Sequence, residues 1–396
     1  MGPLEAQTVS DPPRWASENP ELGFEPLPIE PYISESYFEQ EREKIFRKVW
    51  INVGRIDECP EPGCYFMREI EVCGASVLIA HGHDGVVRAF YNVCSHRGNK
   101  LVWNERGSAK YLTCCFHGWS YDLKGQLRGV LDEGEFRNLE KGKLGLTPIS
   151  CETWKGFIYI NFQPEPDETL LEYLDGVPDA LHDCPFDELQ LTFRYDVEEQ
   201  SNWKVVADSQ NEMHHAPVLG PVHASFSDTY PLTEEGFTRL AVFEKFGRHT
   251  VWGADAREDY EPWGLEKHLG ELTRVWEHSF PTKAGIFDYY AIFPNQVIGI
   301  LGNSVFTYNF WPLAVDRTRW ETRMYFPPAQ NAADLFFQHY WKAKLRDTLS
   351  EDLAGHEQTY RGLASRAKSH FLLCDQEIPI RAFHKTLHSY VPAELA

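Results

Sequence analysis

Short apolar runs separated by turn residues dominate the chain from about Gly54 to Phe162. Val77-Leu78-Ile79-Ala80 and Val86-Val87-Arg88-Ala89-Phe90 flank His83-Asp84-Gly85, which predicts a β-hairpin. Trp119 to Leu123 and Gln126-Leu127 flank Lys124-Gly125 and predict another. Gly156-Phe157-Ile158-Tyr159-Ile160-Asn161-Phe162 is a strongly apolar run of strand length. Upstream, residues 34–50 place Tyr37, Phe38, Ile45, Phe46 and Trp50 on one side of a helix that Ser34 or Ser36 can cap. Downstream, Gln163-Pro164-Glu165-Pro166 reads as a linker. A helical stretch near 170–174 and a strand near 191–197 come next, then strand-like runs at 289–293, 296–301, 305–311 and 319–326. A long helical pattern covers 333–365. The expected fold class is α+β: a small all-β domain, then a curved antiparallel sheet covered by a long C-terminal helix. The expected boundaries are 1–45 for an N-terminal arm and helix, 46–163 for the β-domain and 164–396 for the second domain.

Within the β-region stand Cys94-Ser95-His96, then seventeen residues, then Cys114-Cys115-Phe116-His117. Two Cys–His pairs at strand ends can hold a [2Fe–2S] cluster, with two thiolates on one iron and two imidazoles on the other. Cys₂His₂ also suits zinc, but the zinc-finger order is Cys-Cys then His-His. Here each arm carries one Cys and one His, which favours the cluster.

Composition narrows the classes. A chain of 396 residues with 14% aromatics can bury a large core in two domains. A net charge of -21 argues against a nucleic-acid partner. Besides Cys94 and Cys114, Cys59, Cys64, Cys73, Cys115, Cys151, Cys184 and Cys374 have no paired spacing and read as free thiols of a reducing compartment. The segment from Met1 to Glu30 has no apolar run, and no stretch has the length of a membrane span, so the expectation is a cytoplasmic protein away from membranes.

His96-Arg97-Gly98 and His117-Gly118-Trp119-Ser120-Tyr121 resemble the two cluster loops of Rieske oxygenases, C-x-H-R-G and C-x-x-H-G-W. The resemblance is to the large (alpha) subunit of Rieske non-haem iron oxygenases of the aromatic-ring-hydroxylating type. It implies Cys94, His96, Cys114 and His117 as cluster ligands and a mononuclear Fe(II) elsewhere. Asn202-Trp203-Lys204 opens a segment similar to the family's catalytic motif, in which Glu212 takes the acidic place, His214 the place usually held by Tyr, and His215 that of the first iron ligand. The family usually has its second ligand five residues on, where this chain has Gly220. The next histidine, His223, is eight residues on, a rise of about 12 Å in a straight helix. Pro217, Gly220 and Pro221 would break that helix and let a folded-back loop bring His223 to the iron. The third ligand is a carboxylate of the pair Glu351-Asp352. The family's spacing to a Glu five residues later selects Asp352, which shares a stripe with Leu345 and Leu349. Glu351 is rotated off that stripe and is expected to be dispensable for the metal. His356, His384 and His388 are expected to be structural, with His214 nearest the active site.

The resemblance implies an O₂-dependent oxygenase fed by NAD(P)H through a reductase or ferredoxin. Its mononuclear Fe(II), at His215, His223 and Asp352, would act on a small organic substrate. It further implies a homotrimer, with or without a small beta subunit, in which Glu212 bridges the cluster of one subunit and the iron of the next. Three activities stay open: mono- or dioxygenation of an aromatic or other apolar substrate in hydrocarbon catabolism; oxidative N- or O-demethylation of a methylated amine or ether; and a Rieske electron carrier with a ligand-binding domain. Trp and acidic residues could cage a quaternary ammonium group.

Overall fold

The apolar runs pair into two seven-stranded antiparallel sheets in the computed structural model, which describes residues 14–227, 238–257, 264–273 and 279–393. The strands of the first half are Ile51–Arg55 (β1), Cys64–Ile70 (β2), Ala75–His81 (β3), Val87–Tyr91 (β4), Arg106–Ser108 (β5), Tyr111–Thr113 (β6), Ser120–Asp122 (β7), Leu127–Gly129 (β8), Pro148–Trp154 (β9) and Phe157–Asn161 (β10). Seven of them form one sheet in the order β1-β10-β9-β4-β3-β2-β5, and β6-β7-β8 form a small separate one. The predicted hairpin pairs Val77 with Tyr91 and His81 with Val87, and Gly85 turns it at φ 77°. Alternation along β3 feeds two cores: Val77 and Ile79 face the main core, Leu78 and Ala80 a smaller one that also holds Cys94, Cys114, Trp119 and Tyr121.

The second half has Gln190–Glu199 (β11), Val242–Phe246 (β12), His249–Ala254 (β13), Phe287–Ile292 (β14), Gln296–Leu301 (β15), Ser304–Ala314 (β16) and Arg317–Phe326 (β17), in the order β11-β17-β16-β15-β14-β13-β12. Its helices include Trp203–Ser209 (α1), Pro221–Ser227 (α2), the 33-residue Ala332–Ala364 (α3) and Ile378–Tyr390 (α4). Asn331 starts α3 by accepting the N–H groups of Ala333 and Asp334 at 2.8 and 3.1 Å. α3 packs against α1, α2 and β11. No helix among the described residues is long and apolar enough to cross a membrane.

The two sheets meet through buried charges. Arg68 of β2 reaches Glu58 at 2.8 Å and Glu321 of β17 at 2.9 Å, and Glu321 also bonds Arg323 at 3.0 Å. Burial alone would raise the Glu321 pKa, but Arg323, Arg68 and Arg194 hold it well below the carboxylate range.

Some elements differ from the sequence pattern. The helix expected over 34–50 is capped by Ser34, but its α-helical part ends at Glu41 and a π-turn continues to Phe46. The N-terminal arm expected ahead of that helix has regular structure of its own: Arg14–Glu18 is helical, and Leu27–Pro28 pairs with His370–Phe371. Its residues 1–13 lie outside the described ones.

His249 links β13 to the short helix Leu170–Leu174. Its Nδ1 accepts the Phe293 N–H at 3.0 Å, so Nε2 carries the proton donated to the Tyr173 carbonyl at 2.8 Å. That tautomer is neutral, and burial pushes the pKa down to about 3. The unfolded chain therefore binds one more proton than the fold between about pH 6.5 and about pH 3, and stability falls with falling pH in that window. His249→Gln is expected to flatten the slope there by about 1.4 kcal/mol per pH unit, as measured by denaturant unfolding at a series of pH values.

Candidate metal centres

The first centre is built from two loops with the same backbone geometry. In one, the Cys94 N–H donates to the Asn99 carbonyl at 2.8 Å and the Gly98 N–H to the Cys94 carbonyl at 3.0 Å. In the other, the Cys114 N–H donates to the Trp119 carbonyl at 2.8 Å and the Gly118 N–H to the Cys114 carbonyl at 3.0 Å. Both glycines are left-handed, with φ 76° and 69°. The loops bring the His96 and His117 rings to 4.7 Å, and Trp119 stacks on His96 at 4.8 Å. The Tyr121 hydroxyl lies 3.3 Å from Cys94 Sγ, and the Asn99 amide donates to Cys114 Sγ at 3.5 Å. Burial opposes ionisation of Cys114, but the Phe116 N–H, the Asn99 amide and the His117 N–H outweigh it and lower its pKa. His96 Nδ1 is buried without any hydrogen-bond partner. Two buried sulfurs and an unpartnered ring nitrogen fit a [2Fe–2S] cluster with mixed ligands.

The second centre combines a turn, a short helix and α3. After α1 the chain turns through residues 210–219, which carry His215, and re-enters a helix at Pro221 that carries His223. The break at Pro217, Gly220 and Pro221 does fold the segment back: the two rings lie 5.1 Å apart. Asp352 Oδ1 is 3.6 Å from His215 Nε2 and 3.4 Å from His223 Nε2, and one donor atom from each residue fits within 4.8 Å. This Oδ1 is buried without a hydrogen-bond partner, which suits a bound cation. Two imidazoles and one carboxylate on one side match the facial set used for Fe(II).

Each imidazole is held from behind. The Glu212 carboxylate takes His215 Nδ1 and the N–H groups of His214 and His215. Burial alone would lower the His215 pKa; the charges of Glu212 and Asp352 raise it above the ordinary value. Glu351, expected to turn away, instead contacts His223 Nδ1 at 2.8 Å. Asp352 Oδ2 accepts a long bond from Gln210 at 3.4 Å, and Gln210 is tied through Ser209 to His356, whose Nδ1 meets buried Glu199 at 2.9 Å. His214 is exposed and does not line the pocket beside the triad, whereas His384 bonds Asp208 at 2.9 Å.

One wall of that pocket is a cross-strand row of the second sheet, and α3 faces it with Trp341, Leu345 and Leu349. Trp252 pairs with Tyr289, Tyr289 with Gly299, Gly299 with Phe306, and Phe306 with Met324, so all five share a face. Trp252 stacks on Tyr289 at 4.6 Å, and Tyr289 meets Phe306 edge-on at 5.2 Å. A Cβ on Gly299 would stand 1.9 Å from the Phe306 ring, so glycine makes room for that ring. Trp252, Tyr289, Phe306, Tyr308 and Trp341 line the pocket with His215, His223 and Asp352, and no Lys or Arg joins them among the described residues. The sequence pattern shows no short motif for this wall, because its residues come from separate strands.

A fold that carries two candidate iron centres, one Rieske-like and one facial, defines a class, and comparison with known proteins agrees with it. A family model described as the Rieske [2Fe-2S] domain matches residues 49–140, and one described as the ring hydroxylating alpha subunit (catalytic domain) matches residues 186–393. The chain belongs to the ring-hydroxylating oxygenase alpha-subunit family. It is 34% identical over 205 residues to the carnitine monooxygenase oxygenase subunit of Escherichia coli K12, covering 51% of this chain and 53% of that one. It is 27% identical over 254 residues to the glycine betaine monooxygenase oxygenase subunit of Chromohalobacter salexigens, covering 64% and 55%. The chain thus spans about half the length of the curated relatives it matches. A solved quaternary ammonium Rieske monooxygenase superposes with TM-score 0.77 at 25% identity, over 96% of this chain and 98% of that one.

Cys94→Ala or His117→Ala is expected to abolish the cluster's visible absorption in the purified protein; an unchanged spectrum would remove these residues from the ligand set. Asp352→Ala and His223→Ala are each expected to lose the mononuclear iron while the cluster stays reducible, and His214→Ala to keep both, by metal analysis and visible spectroscopy.

Proposed function

We propose that this chain is the oxygenase component of an O₂-dependent system that hydroxylates a methylated amine, of the quaternary ammonium class, at a carbon next to nitrogen. Cys94, His96, Cys114 and His117 would hold the [2Fe–2S] cluster, and His215, His223 and Asp352 the mononuclear Fe(II). The domains would divide at 46–163 and 164–396. When bound, the cluster supplies one-electron transfer and the Fe(II) supplies O₂ activation. Glu212 keeps His215 oriented with Nε2 toward the metal position. The aromatic wall excludes water and holds the substrate over the triad. The reaction takes one O₂, two electrons from a reductase or ferredoxin and two protons, and gives the carbinol and water. The carbinol then loses its hydroxyl proton as its C–N bond breaks with the bonding pair leaving on nitrogen, which releases an amine, a carbonyl compound and one proton. The subunits would form a homotrimer with Glu212 at the contact between one subunit's cluster and the next one's iron.

The observation that carries the substrate class is the aromatic wall of Trp252, Tyr289, Phe306 and Tyr308 beside acidic Asp352 and Glu212, with no Lys or Arg among the described lining residues. Ring faces attract a desolvated ammonium group by about 2 kcal/mol. The relatives named for carnitine and glycine betaine support the same class. Hydroxylation of a neutral aromatic is the second reading, favoured by the same apolar wall.

The test is oxygen uptake with a surrogate reductase over trimethylammonium compounds and neutral aromatics. Uptake coupled to amine and carbonyl release is expected for the ammonium compounds. Trp252→Leu or Tyr289→Leu should raise their KM about 10–30-fold with the cluster intact. Turnover of neutral aromatics alone would replace this reading by the second. About three irons per chain are expected, against about two for a pure electron carrier.

A further inference from the structure

His223 sits between two adjacent carboxylates of α3. Asp352 Oδ1 stands 3.4 Å from Nε2, and Glu351 Oε2 stands 2.8 Å from Nδ1 on the opposite side of the ring. Successive helix residues point about 100° apart, so one turn of α3 can address both edges of one imidazole. Glu351 does more than meet the ring. Its Oε1 accepts the Val222 N–H at 2.9 Å and its Oε2 the His223 N–H at 2.9 Å. These are the first N–H groups of α2, since Pro221 has none. Such groups are normally satisfied by a Ser, Thr, Asp or Asn side chain at the position before the helix. Here that position is Gly220, which has no side chain. A Cβ on Gly220 would lie 2.3 Å from the Glu351 carboxyl carbon and 2.5 and 2.7 Å from its oxygens. The glycine thus leaves open the place that the carboxylate fills.

We infer that Glu351 is the positioning residue of the second imidazole, and that Gly220 is its seat. By holding both the backbone and Nδ1 of His223, the carboxylate fixes the tautomer with the proton on Nδ1. It thereby turns the free Nε2 lone pair toward Asp352 and His215. A carboxylate behind a metal-binding imidazole also fixes the orientation of the ring. Glu351 performs for His223 what Glu212 performs for His215, but from a distant part of the chain. The arrangement accounts for Gly220 occupying the place where the family usually has its second ligand: in this chain that place receives the carboxylate that holds the displaced one.

The inference rests on the reading of His215, His223 and Asp352 as iron ligands, so His223→Ala is measured alongside. Fe(II) is titrated anaerobically into the full chain depleted of mononuclear iron by a chelator, with the cluster followed by its visible absorption. Glu351→Ala is expected to weaken Fe(II) binding about 10–100-fold with the cluster unchanged. Gly220→Ala should do the same, because the added methyl meets the far end of the Glu351 side chain rather than backbone, and displaces the carboxylate from its partners. The double variant should bind no more weakly than Glu351→Ala alone, since both remove one interaction. Glu351→Gln keeps an acceptor oxygen and should fall between wild type and Glu351→Ala. If Glu351→Ala fails to fold, Gly220→Ala and Glu351→Gln carry the test. Wild-type Fe(II) affinity in Glu351→Ala, even with a lowered Tm, would reduce Glu351 to a helix cap and overturn the inference; wild-type affinity in Gly220→Ala would do so too. Wild-type affinity in His223→Ala would instead overturn the ligand reading beneath it.

Discussion

A carboxylate oxygen buried with no donor is the constraint around which the second half of this chain is arranged. Asp352 Oδ1 has no hydrogen-bond partner, and Oδ2 has only the long contact from Gln210. Leaving a negative charge in such a place is strongly unfavourable unless a cation sits beside it. Two imidazole nitrogens at 3.4 and 3.6 Å share that space. The long helix α3 exists at this point to deliver Asp352 beneath the sheet, and the broken segment between α1 and α2 exists to fold two histidines onto it. The buried line from Glu199 through His356, Ser209 and Gln210 fixes the other face of the same carboxylate.

The same economy of form appears at the cluster loops. Each uses a left-handed glycine four residues after its cysteine to close a turn, so that the Cys N–H and carbonyl are both satisfied internally. The sulfurs are then left to a metal. The first loop leaves β4, two strands from β2, whose Arg68 is tied to Glu58 and to Glu321 of the second sheet, and Glu321 is tied in turn to Arg323; the second loop joins β6 to β7 of the small sheet. Removing one member of such a buried set would strand its partners' charges, so the network fixes how the two halves sit together.

Much of this was legible in the chain. The Cys–His pairs, the hairpin at Gly85 and the runs that became β15 to β17 all announce themselves through local spacing. What escaped has physical reasons. β12 reads Val-Phe-Glu-Lys-Phe and lies at a sheet edge, where charged positions face solvent and the apolar run is interrupted. α4 has Pro379 near its start, which looks like a breaker in sequence but is tolerated in a first helical turn. Glu351 looked idle because the apolar stripe of α3 defines only one contact face; α2 covers the other, and nothing local in α3 reports that neighbour. Gly299 gave no signal either, since its role depends on a Phe306 ring on the adjoining strand.

The placement of charge bears on what the pocket can admit. Glu212, Glu351 and Asp352 gather three negative charges around two imidazoles. A doubly positive iron among neutral imidazoles would leave that group with a net charge of about -1. The pocket above it is walled by ring faces, whose quadrupoles are also negative. A neutral aromatic gains only dispersion and area burial from such walls. A quaternary ammonium gains those as well as attraction to the rings and to the floor, and its methyl groups carry no N–H that burial would leave unsatisfied. An anionic group in the same position would meet repulsion from both. The chemistry of the walls and that of the ligand set therefore both favour the cationic head of the proposed substrate class over a neutral or anionic one.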